Sequence, residues 1–289
     1  MPEPIRGTEP IRWTHAFVDR ARKDFGPARA FWTSVTGTVP SAPRGEQDEF
    51  VTLLPDGSDA CLKAQGVEEG EGGAHLDLAV EDVAALVESA LRLGARTVAD
   101  NGIADDGGWA VLRSPGGLLF CAVPWQGESV RPPVVEGPPG VTSRLDQVCV
   151  DVAPARYEAE VAFWSGLTGW ESHPGSLPEF HVIRPPAALP VRVLLQRLGT
   201  DRPTSAHLDL ACSDIEAVRA HHEDLGATLV GRGTHWAVMR DPAGGTYCLT
   251  GRDPSTGGLP VQEVSRAREI PAQEVSPPGP TPRVDGLPA

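Results

Sequence analysis

The chain spells one strand twice. Residues 74–80 read AHLDLAV and residues 206–212 read AHLDLAC. His75 and His207 lie 132 positions apart, and the same offset carries Phe31-Trp32 onto Phe163-Trp164, Gly37 onto Gly169, and Leu93-Gly94-Ala95 onto Leu225-Gly226-Ala227. Further on the offset becomes 127, which maps Trp109-Ala110-Val111 onto Trp236-Ala237-Val238, Arg113 onto Arg240, Pro115 onto Pro242 and Cys121 onto Cys248. One five-residue deletion in the loop around DNGIADDGG reconciles the two offsets. The chain is therefore a tandem duplication, and whatever one copy folds into, the other must also be able to form.

Each copy shares one grammar. An alternating strand (WTHAFVD; LDQVCVDV) leads into a helix with inward aromatics (FGPARAFWTSVTG; ARYEAEVAFWSGLTG). Short strands follow: FVTLL and ACLKA in the first copy, FHVI and VRVLLQRL in the second. The HLDL strand comes next, then a helix with Val83, Leu86, Val87, Ala90 and Leu91, or Ile215, Val218 and Leu225, on one stripe. Ser213 with Glu216 reads as a capping box, and Gly94 and Gly226 as helix stops. Two strands joined by a Pro-Gly turn close each copy, WAVLRSPGGLLFCAV and WAVMRDPAGGTYCLT. Each copy thus reads as two βαβββ modules, an α+β arrangement.

At 289 residues the chain has room for two domains, each with its own core. The expected boundaries are an N-terminal arm at 1–11, a first domain at 12–124, a Pro/Gly-rich linker at 125–143, a second domain at 144–251, and a disordered Pro-rich tail at 252–289. A formal charge of −14 argues against nucleic acid or an anionic membrane as partner. The N-terminus has no basic segment before an apolar core, and no run is long enough to span a bilayer. Five cysteines, odd in number and without a CxxC pair, suit reduced thiols, so a cytoplasmic location is expected.

Taken in order, the FW…G helices (31–37; 163–169), the HLDL strands, the LGA helix ends and the W-A-V-x-R-x-P-x-G-G-x-x-C hairpins resemble the vicinal oxygen chelate superfamily. That is the glyoxalase, bleomycin-resistance and extradiol-dioxygenase group, and the closest match is its glyoxalase-like branch. The resemblance implies two tandem domains, each a cupped mixed β-sheet flanked by helices, with a ligand cavity in the cup. It fixes no single chemistry. In members that hold a metal, it implies ligands from the first strand, the strand opening the second module and the last strand, usually two histidines and a glutamate. Those positions are His15, His75 and Cys121 in the first copy, and Gln147, His207 and Cys248 in the second. A thiol replaces the carboxylate in both, so no cofactor is expected and a divalent metal is disfavoured; if one is held, His15, His75 and Cys121 are its ligands.

The period of two gives each strand one polar face. His75 and Asp77 share it, as do His207 and Asp209; so do His15, Phe17 and Asp19, and Gln147, Cys149 and Asp151. If those faces line the cups, His15, His75 and Asp77 are the candidate catalytic residues. Phe17, Asp19, Trp109, Cys121, Gln147, Asp151, His207, Asp209, Trp236 and Cys248 are candidate pocket residues. The competing reading makes Asp77 and Asp209 caps of the helices that follow. The expected function is a small organic molecule held in a β-cup without a tightly bound metal, as an enzyme of lyase, isomerase or hydrolase type. The alternatives are a non-catalytic drug- or toxin-sequestering protein and a divalent-metal-dependent lyase or dioxygenase. The first copy, which keeps both histidines, is the favoured site.

Overall fold

The computed structural model describes residues 9–68, 72–104 and 107–259. The first copy runs β1 (Ile11–Ala21), α1 (Phe25–Thr36), β2 (Val39–Pro40), β3 (Phe50–Leu54), β4 (Leu62–Val67), then β5 (Gly73–Val80), α2 (Val83–Arg92), β6 (Arg96–Asn101), β7 (Trp109–Arg113) and β8 (Leu119–Pro124). After the short β9 (Val135–Glu136), the second copy runs β10 (Thr142–Val152), α3 (Tyr157–Thr168), β11 (Glu171–Pro174), β12 (Phe180–Arg184), β13 (Arg192–Arg197), β14 (Ser205–Cys212), α4 (Ile215–Asp224), β15 (Thr228–Arg232), β16 (Trp236–Arg240) and β17 (Thr246–Thr250). The βαβββ modules expected from sequence are present, two per copy.

The two sheets repeat one strand order. The first is β2-β3-β4-β1-β5-β8-β7-β6 and the second β11-β12-β13-β10-β14-β17-β16-β15, with β9 added beside β10. In each, the long central pair is antiparallel (β1 with β5, β10 with β14), and each member has a parallel neighbour outside it. Alternation sends Ala74, Leu76 and Leu78 of β5 into the core and leaves His75 and Asp77 on the concave face.

The helices follow their apolar spacing. In α1, Ala28, Phe31, Trp32 and Val35 are buried, and Gly37 ends the helix in the left-handed conformation, φ 60°. Asp82 and Asp214 cap α2 and α4, accepting from the N–H groups of Ala85 (2.9 Å) and Ala217 (3.0 Å). This corrects the capping box: the Ser213 hydroxyl instead accepts from Thr142 N–H. It also removes Asp77 and Asp209 from the role of caps, because their strands run on to Val80 and Cys212.

The helices cross between copies. Phe31 and Trp32 of α1 pack against Tyr247 of β17, ring centroids 5.7 and 5.3 Å away, while Phe163 and Trp164 of α3 pack against Phe120 of β8 at 5.7 and 5.2 Å. Each ring buried this way contributes roughly 1.5–3 kcal/mol. The expectation of two separate cores is thereby corrected: one contiguous apolar cluster runs through both copies. Polar bonds pin each crossing. Trp32 Nε1 donates to Asp241 (3.0 Å), which also binds Arg20 (2.6 Å); Glu160 accepts from Ser114 Oγ (2.5 Å), Gly116 N–H (2.6 Å) and Trp164 Nε1 (2.9 Å).

The expected start of the tail also needs correction. Residues 252–258 form a turn in which Asp253 accepts from Ser255 N–H, Thr256 N–H and the Thr256 hydroxyl. Arg144 and Arg192 donate to the carbonyls of Ser255 (2.8 Å) and Gly257 (3.1 Å), docking the turn on β10 and β13. Residues 1–8 of the arm and 260–289 of the tail lie outside the described residues. No helix among the described residues is long and apolar enough to cross a membrane.

One buried histidine sets a pH limit on the fold. His222 of α4 is 1% exposed, with Nδ1 2.9 Å from the Tyr247 hydroxyl, Phe31 against its ring and His221 beside it. Burial first, then the charge of His221, pushes its pKa down to about 4. The native ring stays neutral, whereas an unfolded histidine protonates near ~6.5. The unfolded state therefore gains a proton first as pH falls from ~6.5 to about 4, and stability drops by roughly 2–3 kcal/mol. Urea midpoints at pH 7 and pH 4.5 should show this loss, and His222→Gln should lose less by that amount.

Candidate functional site

The concave face of the first sheet encloses a cavity of about 750 Å³, and its rim includes Thr204, Ser205 and Ala206 from the second copy. Phe17 and Asp19 from β1, His75 and Asp77 from β5, Trp109 from β7 and Cys121 from β8 all line it, which brings together six of the expected residues. His15 does not line it. The linker folds back so that Glu128 Oε1 stands 3.5 Å from His15 Nε2, and the imidazole is 6% exposed. Burial lowers the pKa of His15. Burial opposes the Glu128 charge, but bonds from His15 and from the backbone N–H groups of Glu128 and Gln126 hold its pKa at about 2.

A row of charged side chains crosses the cup floor. His75 Nδ1 lies 2.6 Å from Asp19 Oδ2, and its ring stacks on Phe17 with centroids 4.2 Å apart. On the other side His75 Nε2 is 3.7 Å from Asp77 Oδ1, and Lys63 Nζ is 3.5 Å from Asp77 Oδ2. Burial disfavours the imidazolium of His75, yet the carboxylates of Asp19 and Asp77 outweigh it and hold the pKa above the ordinary value. Burial, then Asp77, drives the Cys121 thiol strongly upward, so it remains S–H. Asp19 Oδ1 and Asp77 Oδ1 are buried acceptors without a hydrogen bond among the described residues. Such atoms are costly to leave unpaired.

The second cup keeps the polar row and adds an apolar cluster. His207 Nδ1 lies 3.2 Å from Asp151 and Nε2 3.3 Å from Asp209, while Gln147 Nε2 donates to Asp209 Oδ2 at 2.6 Å. Cys149, Val182 and Leu194 form a buried apolar cluster with Phe180 against it, and Phe180 meets Trp236 edge-on at 5.7 Å. Cys248 lies beside Asp209 in the ladder. The registers explain the difference. Lys63 faces Phe17 where Leu194 faces Cys149, and Thr52 faces Lys63 where Val182 faces Leu194. Two polar-to-apolar exchanges give the second cup its apolar cluster.

Sequence reasoning missed Lys63, Phe50, Arg44 and Glu128. In LKAQGV the core takes Leu62 and Ala64, so the period of two could have placed Lys63 and Gln65 on the cup face. Nothing in the linker's composition marks Glu128.

The doubled cupped sheet defines a class of protein built from paired βαβββ modules. A model of the glyoxalase-like domain matches residues 15–123 and 147–250, and the chain belongs to that family, within the vicinal oxygen chelate superfamily. Among solved structures it is similar to a Mn(II)-bound glyoxalase from Novosphingobium aromaticivorans, at 19% identity and TM-score 0.58, over 90% of this chain and 89% of that one. It is also similar to 2,2',3-trihydroxybiphenyl 1,2-dioxygenase from Sphingomonas wittichii strain RW1, at 16% identity and TM-score 0.55, over 84% and 90%. A variant of 4-hydroxymandelate synthase from Streptomyces coelicolor matches at 15% identity and TM-score 0.55, over 91% and 100%. No curated protein matches the sequence.

The metal that this superfamily implies can be tested against the residues present. In the first cup the ligand atoms of His75, Asp77 and Cys121 lie within 4.8 Å of one another, and in the second those of His207, Asp209 and Cys248 do the same. The expected set of His15, His75 and Cys121 is not what converges. His15 is engaged by Glu128, and the Lys63 ammonium stands beside Asp77. In the second cup the Gln147 amide is turned onto Asp209 as a donor. The residues present do not fit the family's metal arrangement.

Proposed function

We propose that the first cup binds a small, largely apolar molecule carrying a hydrogen-donating group, and acts on it by proton transfer through His75. The observation that carries this reading is the 2.6 Å bond between His75 Nδ1 and Asp19 inside the cavity. Asp19 fixes the tautomer and orients the ring, leaving Nε2 to take a proton from the ligand and return it elsewhere, as an isomerase or lyase requires. Phe17, Phe50 and Trp109 supply apolar walls, and the Asp19 and Asp77 oxygens that lack a hydrogen bond among the described residues supply acceptors for a hydroxyl, amine or amide N–H. No metal is needed for this chemistry. The five unpaired thiols, four of them buried, suit a reducing cytoplasm.

A second reading, metal-dependent chemistry, draws on the convergence of His75, Asp77 and Cys121 within 4.8 Å. Lys63, 3.5 Å from Asp77, opposes it.

A thermal-shift screen of small metabolites tests the location of the site. Val111 lines the cavity, and Val111→Trp fills it with an indole. Compounds that raise the melting temperature of the wild-type protein should leave this variant unmoved. An undiminished response in the variant would place the ligand outside the first cup.

A further inference from the structure

We propose that the carboxylates of Asp77 and Asp209 have taken the place of the metal ion, so that each cup carries a negative charge where a metal-holding relative carries a positive one. The ladder registers carry the argument. Asp77 pairs with His15 on β1 and with Cys121 on β8, so one row across three strands reads His15, Asp77, Cys121. Two of the three positions from which a ligand is expected flank the aspartate, and the third, His75, sits two residues along the same strand and face. The second copy repeats this: Asp209 pairs with Gln147 on β10 and with Cys248 on β17, with His207 two residues away. A side chain rising from the middle of that triangle enters the space that a shared ion would need.

The surrounding groups are arranged around an anion. Lys63 Nζ stands 3.5 Å and His75 Nε2 3.7 Å from the Asp77 oxygens, and Gln147 Nε2 stands 2.6 Å and His207 Nε2 3.3 Å from those of Asp209. Each aspartate is nearly fully buried, at 4% and 3% exposure. A buried carboxylate is retained only with compensating donors or cations, which these neighbours provide. A dication at the same point would meet the ammonium of Lys63 at short range. One oxygen of each, Oδ1, has no hydrogen bond among the described residues. The consequence for the first cup rests on its reading as the ligand site: the ligand meets an acceptor there, so it presents a hydrogen-bond donor and not a pair of chelating oxygens.

Cobalt(II) titration of the full chain tests the substitution without reference to any activity. The wild-type protein should show no saturable cobalt binding. Cys121→Glu restores the carboxylate position but leaves Asp77 in place; adding Asp77→Ala clears the space, and the double variant should bind cobalt at least about tenfold more tightly than the single. If the first-copy variants do not fold, Gln147→His with Cys248→Glu, with and without Asp209→Ala, makes the same comparison in the second cup. Stoichiometric cobalt on the wild type with a thiolate charge-transfer band that Asp77→Asn and Asp209→Asn abolish would overturn the proposal, since the aspartates would then be ligands. So would equal affinity of the folded single and double variants. Neither result depends on whether His75 transfers a proton.

Discussion

Replacing Asp241 with alanine should destabilise the protein by about 3–5 kcal/mol, because it strands a buried guanidinium. Asp241 Oδ2 accepts from Arg20 Nη2 (2.6 Å), Arg20 Nε (3.0 Å) and Trp32 Nε1 (3.0 Å), and its Oδ1 accepts from the N–H groups of Ala243 and Gly245. The two charged side chains are 3% and 0% exposed. Arg20 also donates to the Asp19 and Gly73 carbonyls, so the bond ties the crossing of α1 to the strand that carries Asp19. Urea denaturation measures the effect. Arg12 and Glu81, at 44% and 55% exposure, form the control pair, whose removal should cost no more than about 1 kcal/mol. A similarly small loss for Asp241→Ala would mean that the copies are not held together as described.

The largest effect on activity should come from His75. Loss of a positioned general base typically costs about 10²–10⁴ in rate, and His75→Ala should fall in that range. Asp19→Asn should cost less, and it should also shift the pH profile. As a base His75 works when neutral, so kcat/KM should rise with pH through its raised pKa. Removing the Asp19 charge takes away a cause of that upward shift, so the rising limb should move to lower pH. Histidine NMR titration of the same variant should show the matching downward move of the imidazole midpoint. An unmoved midpoint would separate Asp19 from His75.

Much of the fold is readable from residues because duplication makes each signal appear twice. The offset of 132 fixes the equivalence of His75 and His207, and alternation in β5 fixes which side chains share the cup. The crossing of the helices is not readable. The spacing of Phe31 and Trp32 says that a face is buried but not against which copy, and both copies write the same pair. The apolar cluster of the second cup depends on Leu194 and Val182 replacing Lys63 and Thr52. Those equivalences have offsets of 131 and 130, so they emerge only once the ladder registers are known. His15 stands on the expected strand, but Glu128 reaches it from a linker whose composition reads as solvent-exposed. The choice between cap and cup for Asp77 turned on strand length alone, since another aspartate, Asp82, stands five residues on and takes the cap.

Comparing the two histidines separates a working first cup from its apolar-lined duplicate. Purified wild-type protein, His75→Ala and His207→Ala would each be incubated with a small-molecule extract, and consumption followed by mass spectrometry. Compounds consumed by the wild type should persist with His75→Ala and still be consumed with His207→Ala. Consumption that survives His75→Ala, or that is lost equally in His207→Ala with its fold intact, would contradict it.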